Sequence, residues 1–194
     1  MAGTITKKES DSSKSMKSGL NLRDFTLIAM FTAIIAICAW ITIPTTVPFT
    51  LQTFAIFLTI GLLGGKRGTI SVILYILLGA IGVPVFSGFK GGIGVLLGQT
   101  GGYIVGFIGT ALFAWLVERL LGRKQWVLLL SMVIGLLICY AVGTLWFIAV
   151  YTNSTGAVGL LTVLGWCVFP FIIPDAVKIS VALIITGRLR KYIK

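Results

Sequence analysis

An aspartate and a lysine three residues apart, Asp175 and Lys178, stand inside the otherwise apolar stretch Pro170-Phe171-Ile172-Ile173-Pro174-Asp175-Ala176-Val177-Lys178. Residues at that spacing share one face of a helix, so an acceptor-only carboxylate and a three-donor ammonium can build a single polar site. Ionisable groups at membrane depth are costly and as a rule point into a protein cavity. Pro174 suits the first position of a helix, where its missing N–H is not needed. This predicts a helix starting there, with Asp175 and Lys178 in its first turn and the site near the membrane surface. The competing reading is an ion pair that only fixes helix packing.

The setting is a membrane. A chain of 194 residues with 57% hydrophobic and 11% charged residues and a mean hydropathy of +1.06 is far more apolar than a soluble domain, where about a quarter of residues are charged. The net charge of +11 does not indicate nucleic acid, because the basic residues stand at the ends of apolar runs instead of on one polar surface. There is no histidine and there are five acids, so Ser-His-Asp triads and His-based proton relays are excluded. Cys38, Cys139 and Cys167 lie in apolar stretches without paired spacing, which indicates neither a disulfide framework nor a metal site. No cofactor is expected.

The elements that must position the pair follow from the apolar runs and their breaks. Residues 1–22 are rich in Lys and Ser and read as a disordered cytoplasmic tail, leaving residues 23–194 as one membrane domain. Spans are predicted over residues 25–41, 51–65, 69–86, 101–117, 126–151 and 174–186, with basic turns at Lys66-Arg67-Gly68 and Gly122-Arg123-Lys124-Gln125 and a polar turn over residues 151–156. The piece from residue 157 to 173, broken by Gly159, Gly165 and Pro170, is predicted to be an outer or partly re-entrant cap. Counting it as a seventh crossing would scatter the cations. Six crossings put every Lys and Arg except Lys90 and Lys178 on the inner side. The prediction is thus an all-α integral membrane protein of the cell membrane, with six transmembrane helices, irregular outer loops and both termini cytoplasmic.

This topology brings three irregular segments to one mouth: the two-proline connection over residues 43–50, the glycine-rich segment over residues 87–103, and the cap. Gln52 is polar at that mouth, and the glycines, Gly101 among them, allow close backbone approach to a ligand or a neighbouring helix. Trp40, Phe49, Tyr103, Trp146 and Trp166 are candidates for aromatic walls or for anchors at the membrane interface. On the first span, Ala29 and Ala33 are small residues four apart, suited to close approach of another helix or to packing within the bundle.

Several segments in this order carry a resemblance: Val47-Pro48-Phe49-Thr50-Leu51-Gln52-Thr53-Phe54, Lys66-Arg67-Gly68, Gly82-Val83-Pro84-Val85-Phe86, the run from Gly91 to Tyr103, and Pro170-Phe171 followed by Asp175 and Lys178. From about residue 25 onward the chain resembles the BioY family, the biotin-capturing S components of energy-coupling-factor transporters. Gln99 and Ile173-Pro174-Asp175 depart from the family pattern. The resemblance implies a six-helix protein that takes biotin from outside. It also implies a transmembrane coupling subunit and two ATPase subunits as partners, with Ala29 and Ala33 as the docking face. A biotin-like ligand suits the residues: the ureido ring offers two N–H donors and one acceptor, and the thiophane and valeryl parts need apolar and aromatic wall. Either Asp175 and Lys178 hold the ureido ring while Lys90 or the glycine-rich backbone takes the carboxylate, or Lys178 takes the carboxylate. The competing functions are capture of another small vitamin and, from a different class, a membrane-embedded enzyme with Asp175 and Lys178 as its acid-base pair.

Overall fold

The computed structural model describes residues 20–45, 47–156 and 158–193. The predicted tail lies outside the described residues as far as residue 19. Helix α1 (Leu22–Trp40) opens at Asn21, which is extended and donates its N–H to Asp24 Oδ2 at 3.1 Å, so a side chain of the first turn satisfies a backbone donor at the helix start. The two-proline connection is not purely irregular. Thr42–Ile43 (β1) pairs antiparallel with Phe49–Thr50 (β2), Thr42 opposite Thr50. Pro44 and Pro48 lie between the paired residues, where the lack of an N–H costs no ladder bond.

Helices α2 (Gln52–Leu63) and α3 (Gly65–Ala80) meet at Gly64, whose φ of 84° reverses the chain in one residue. The predicted basic turn Lys66-Arg67-Gly68 is therefore corrected: those residues form the first turn of α3, since Gly64 alone makes the reversal. A short helix α4 (Ile93–Leu97) interrupts the glycine-rich segment, followed by α5 (Gly101–Leu121) and α6 (Gln125–Thr155). The polar turn predicted over 151–156 is helical up to Thr155, and the break falls on Gly156 at φ 107°.

The cap contains α7 (Leu160–Cys167), and after one non-helical residue, Val168, the chain enters α8 (Phe169–Ile193). Pro174 thus lies inside a helix that starts at Phe169. The N–H it lacks would have bonded the carbonyl four residues back, that of Pro170 in the first turn, so one helical bond is lost near the helix end. Lys178 therefore lies about 13 Å along α8 from its start at ~1.5 Å per residue, beyond the first turn predicted from the sequence.

Among the described residues, four helical stretches are long and apolar enough to cross a membrane: Leu22–Trp40, Gly101–Leu121, Gln125–Asn153 and Leu160–Tyr192. Helices α2 and α3 are shorter and supply much of the core: Ala55, Ile56, Ile60, Val72, Tyr75 and Ile76 join Ile35, Ile104 and Phe107 in one apolar cluster. Helices α5 and α6 approach closely because small residues face large ones on both sides. A Cβ on Gly106 would come within 3.1 Å of Cys139 Cα, and one on Gly135 within 2.7 Å of Thr110 Cγ2. Thr110 donates its hydroxyl hydrogen to Gly135 O at 2.6 Å.

Polar bonds pin the helix ends. At one end Arg67 Nε lies 3.1 Å from Asp24 Oδ1, and Glu118 accepts the Gly65 N–H at 2.6 Å and pairs with Arg123 at 2.9 Å. Arg190 donates to Arg123 O at 2.8 Å. This joins the start of α1, the α2–α3 reversal, the α5–α6 turn and the tail of α8. At the other end Trp40 Nε1 donates to Pro84 O at 2.9 Å and its ring stacks on Phe89, while Ser87 donates to Thr42 Oγ1 at 2.9 Å.

Candidate functional site

The mouth end encloses a cavity of about 520 Å³, lined by residues of the ribbon, the glycine-rich segment and helices α2, α5, α6, α7 and α8. That volume lies within the ~300–1,000 Å³ of small-molecule sites. Asp175 and Lys178 line it and are 2% and 7% exposed.

Their spacing on α8 brings Lys178 Nζ to 2.8 Å from Asp175 Oδ1. Thr53, in the first turn of α2, donates to the same carboxylate oxygen at 3.0 Å, and Tyr140 of α6 donates to Asp175 Oδ2 at 2.5 Å. Lys178 also donates to Thr50 O at 2.7 Å and Thr53 Oγ1 at 3.0 Å. The three hydrogens of the ammonium are thus all taken. Its charge also sits 4.2 Å above the Phe49 ring, which stacks on Phe171, a placement that stabilises a cation. The carboxylate accepts three bonds and keeps one of its roughly four acceptor directions. This cluster ties β2, α2, α6 and α8 at the base of the cavity.

Of the other residues singled out from sequence, Gln52, Lys90 and Tyr103 line the cavity. Tyr103 contacts Thr144 Oγ1 through its hydroxyl at 3.2 Å. Gln52 Nε2 donates to Tyr75 Oη at 2.9 Å. Lys90 is exposed, and its ammonium has no partner among the described residues. Phe49 acts beneath Lys178 and is not among the lining residues. Gly101 and Trp146 stand behind the wall: the Gly101 N–H goes to Gly98 O at 3.1 Å, a side chain there would strike the Leu96 carbonyl, and Trp146 Nε1 donates to Gly98 O at 2.9 Å. They shape the glycine-rich segment whose Gly94, Gly98, Gln99 and Thr100 line the cavity. Trp40 and Trp166 lie outside the lining as well. Ala29 and Ala33 are exposed on α1, away from the site.

Sequence reasoning missed Thr53, Tyr140, Phe86, Phe107 and the cavity-facing positions of Cys139 and Cys167. Tyr140 carried a signal, a hydroxyl in the middle of a long apolar run, where a buried hydroxyl needs a partner. Thr53 carried none beyond its place next to Gln52.

Residues 11–194 match the BioY family. The biotin transporter BioY of Thermotoga maritima is 43% identical over 176 residues, spanning 88% of this chain and 97% of its own length. The probable biotin transporter BioY of Pyrococcus horikoshii is 40% identical over 173 residues, spanning 88% and 98%. A solved S-component for biotin from an ECF-type ABC transporter has a TM-score of 0.76 and 31% identity to this chain, covering 89% of it and 95% of that structure's chain. With a match across nearly its whole length and relatives aligned over almost all of theirs, the chain belongs to the BioY family.

Proposed function

We propose that this chain captures biotin outside the cell as the S component of an energy-coupling-factor transporter. The observation that carries the proposal is the cavity with the Asp175, Lys178, Thr53 and Tyr140 cluster at its base, in a chain whose relatives are biotin transporters and not enzymes. The bonding supports one ligand orientation. Lys178 has no hydrogen left to give, whereas Asp175 retains acceptor capacity, so the base of the cavity favours a ligand that donates. The ureido N–H groups belong there, and the carboxylate belongs at the rim with Lys90, whose charge has no protein partner among the described residues.

Six crossings of the membrane are part of this reading. Bonds among Asp24, Arg67, Gly65, Glu118, Arg123 and Arg190 gather the starts of α1, α3 and α6 with the ends of α2, α5 and α8, which supports a reading of six alternating crossings. The basic residues Arg23, Lys66, Arg67, Arg119, Arg123, Lys124, Arg188, Arg190 and Lys191 near those ends support a cytoplasmic assignment of that pole. The exposed Ala29 and Ala33 form the face that docks on the transmembrane coupling subunit, which with two ATPase subunits supplies the energy. Mass spectrometry of ligand co-purified with the chain, followed by calorimetry with biotin and other vitamins, tests the function. Biotin should be recovered and should bind most tightly; a chain that binds another vitamin and ignores biotin overturns the proposal.

A further inference from the structure

Tyr75 of α3 is fully buried, stands outside the cavity lining, and has no part in the cluster at Asp175. Its hydroxyl has two contacts, Val85 O at 3.2 Å and the side-chain amide of Gln52 at 2.9 Å. A backbone carbonyl only accepts and a phenol has one hydrogen, so that hydrogen goes to Val85. Gln52 must then be the donor in the other contact, with Nε2 towards Tyr75. The reversed amide would draw the phenol hydrogen away and leave the buried Val85 carbonyl facing an oxygen with nothing to give, a costly arrangement. The tyrosine ring is itself fixed, packed edge-on against Phe86 with centroids 5.6 Å apart.

The consequence lies at the other end of the amide. Gln52 Oε1 has no partner among the described residues. It is not sealed from solvent either, because Thr186 Oγ1 is the one buried, unpartnered side-chain polar atom among the described residues. Gln52 lines the cavity, so its carbonyl oxygen opens into it. We infer that Tyr75 is a specificity-determining positioning residue: it locks Gln52 with its acceptor towards the ligand, so that the cavity selects a ligand carrying an N–H at that point. Resting on the proposed function, that N–H is one of the two ureido N–H groups of biotin. Gln52 lies two residues after Thr50 and donates its backbone N–H to the Thr50 hydroxyl at 3.2 Å, while the Thr50 carbonyl is held by Lys178, so the selecting residue is tied to the cluster around Asp175. Two acceptors of different origin, Gln52 and Asp175, then face the two ureido donors.

The test compares biotin with the two cyclic-carbamate analogues in which a ring oxygen replaces one or the other ureido N–H, by calorimetry on the wild-type chain and on Tyr75→Phe. The wild type should reject the isomer whose oxygen meets Gln52 by about 100-fold or more, because a site built to accept a hydrogen bond faces an acceptor instead. In Tyr75→Phe the amide is free to turn. Biotin affinity should then fall by roughly tenfold and rejection of that isomer shrink to below about tenfold, while rejection of the other isomer keeps its wild-type ratio. A tyrosine that only fills space would lower affinity for all three ligands alike, and unchanged ratios overturn the inference. If Tyr75→Phe does not fold, Gln52→Leu gives the same reading: discrimination against the one isomer must collapse, and its persistence overturns the assignment. A wild type that binds biotin and both carbamates equally well defeats the inference and leaves biotin capture standing. A wild type that binds no biotin defeats the proposed function and, with it, the ligand named here.

Discussion

Two sets of ion pairs sit at opposite poles of this bundle, and the same chemistry does different things at each. At the arginine-rich pole the side chains of Arg67 and Asp24 are 37% and 11% exposed, and those of Arg123 and Glu118 are 38% and 28% exposed. Their partners are other helix ends. At the cavity pole the side chains of Lys178 and Asp175 are 7% and 2% exposed and are ringed by two hydroxyls, a carbonyl and an aromatic face. Exposed pairs contribute typically ~0–1 kcal/mol, whereas buried pairs trade a large desolvation cost against their attraction. A protein that needed only to join α2 to α8 could do so with apolar residues. A cavity, a buried pair and one acceptor direction left over on Asp175 point to a ligand.

The first way to break the comparison is to show that the poles are not where they are placed. In a chain freed of Cys38, Cys139 and Cys167, single cysteines at Ser87 and Asn153 should react from outside with an impermeant thiol reagent. One at Gln125 should react only after the membrane is opened. The expected contrast is all or none, and labelling of position 125 in intact cells would sink the six-crossing topology.

The next effect is on affinity. Hydrogen bonds to charged groups contribute roughly 1.5–3 kcal/mol, and ~1.4 kcal/mol is tenfold in binding, so Asp175→Asn and Lys178→Met should each weaken biotin binding by about one to two orders of magnitude. Each single change also leaves a buried charge without its opposite, and stability should fall by up to about 3–5 kcal/mol. The double change removes both charges and should recover part of that stability without recovering affinity. Calorimetry and melting on the same three variants separate the two roles; wild-type affinity with lowered stability would reduce the pair to a packing device.

These outcomes also measure what the sequence could convey. The pairing of Asp175 with Lys178 was legible because it lies within one helix, where spacing fixes geometry. Thr53 and Tyr140 were not, because their contacts join different helices, 122 and 35 residues away from Asp175, and spacing along the chain says nothing about such meetings. Pro174 misled through a sound rule: proline favours a helix start, yet the carbonyl its ring deprives of a partner is in the first turn, where the loss is tolerated. Lys66 and Arg67 read as a turn because they are charged, although Gly64 makes the turn and Arg67 uses its charge on Asp24. Gly101 and Trp146 were expected at the ligand and instead brace the segment that lines its cavity.

A smaller effect is expected on the exposed face of α1 that carries Ala29 and Ala33. Replacing Ala29 and Ala33 together with Leu adds bulk to an exposed surface. Association with the coupling subunit and biotin uptake should fall several-fold, while affinity of the isolated chain stays within about twofold, because additive, distant sites do not couple. Equal losses of binding and uptake would make the alanines part of the bundle's own packing.

The smallest effect belongs to the arginine-rich pole. Glu118→Gln keeps an acceptor for the Gly65 N–H but removes the charge facing Arg123. For a pair this open to solvent the expected loss is at most about 1 kcal/mol, diminishing as salt rises, because ions screen exposed charges. Arg67→Met should behave likewise through Asp24, which keeps the Asn21 N–H as a partner. Biotin affinity should not move in either variant, since neither residue touches the cavity. Melting at low and high salt, with calorimetry alongside, checks both parts. A large, salt-independent loss of stability would show that the pairs of the arginine-rich pole behave as buried ones, and a fall in affinity would show that the poles are coupled through the bundle. Either result would erase the contrast from which the site assignment draws its support.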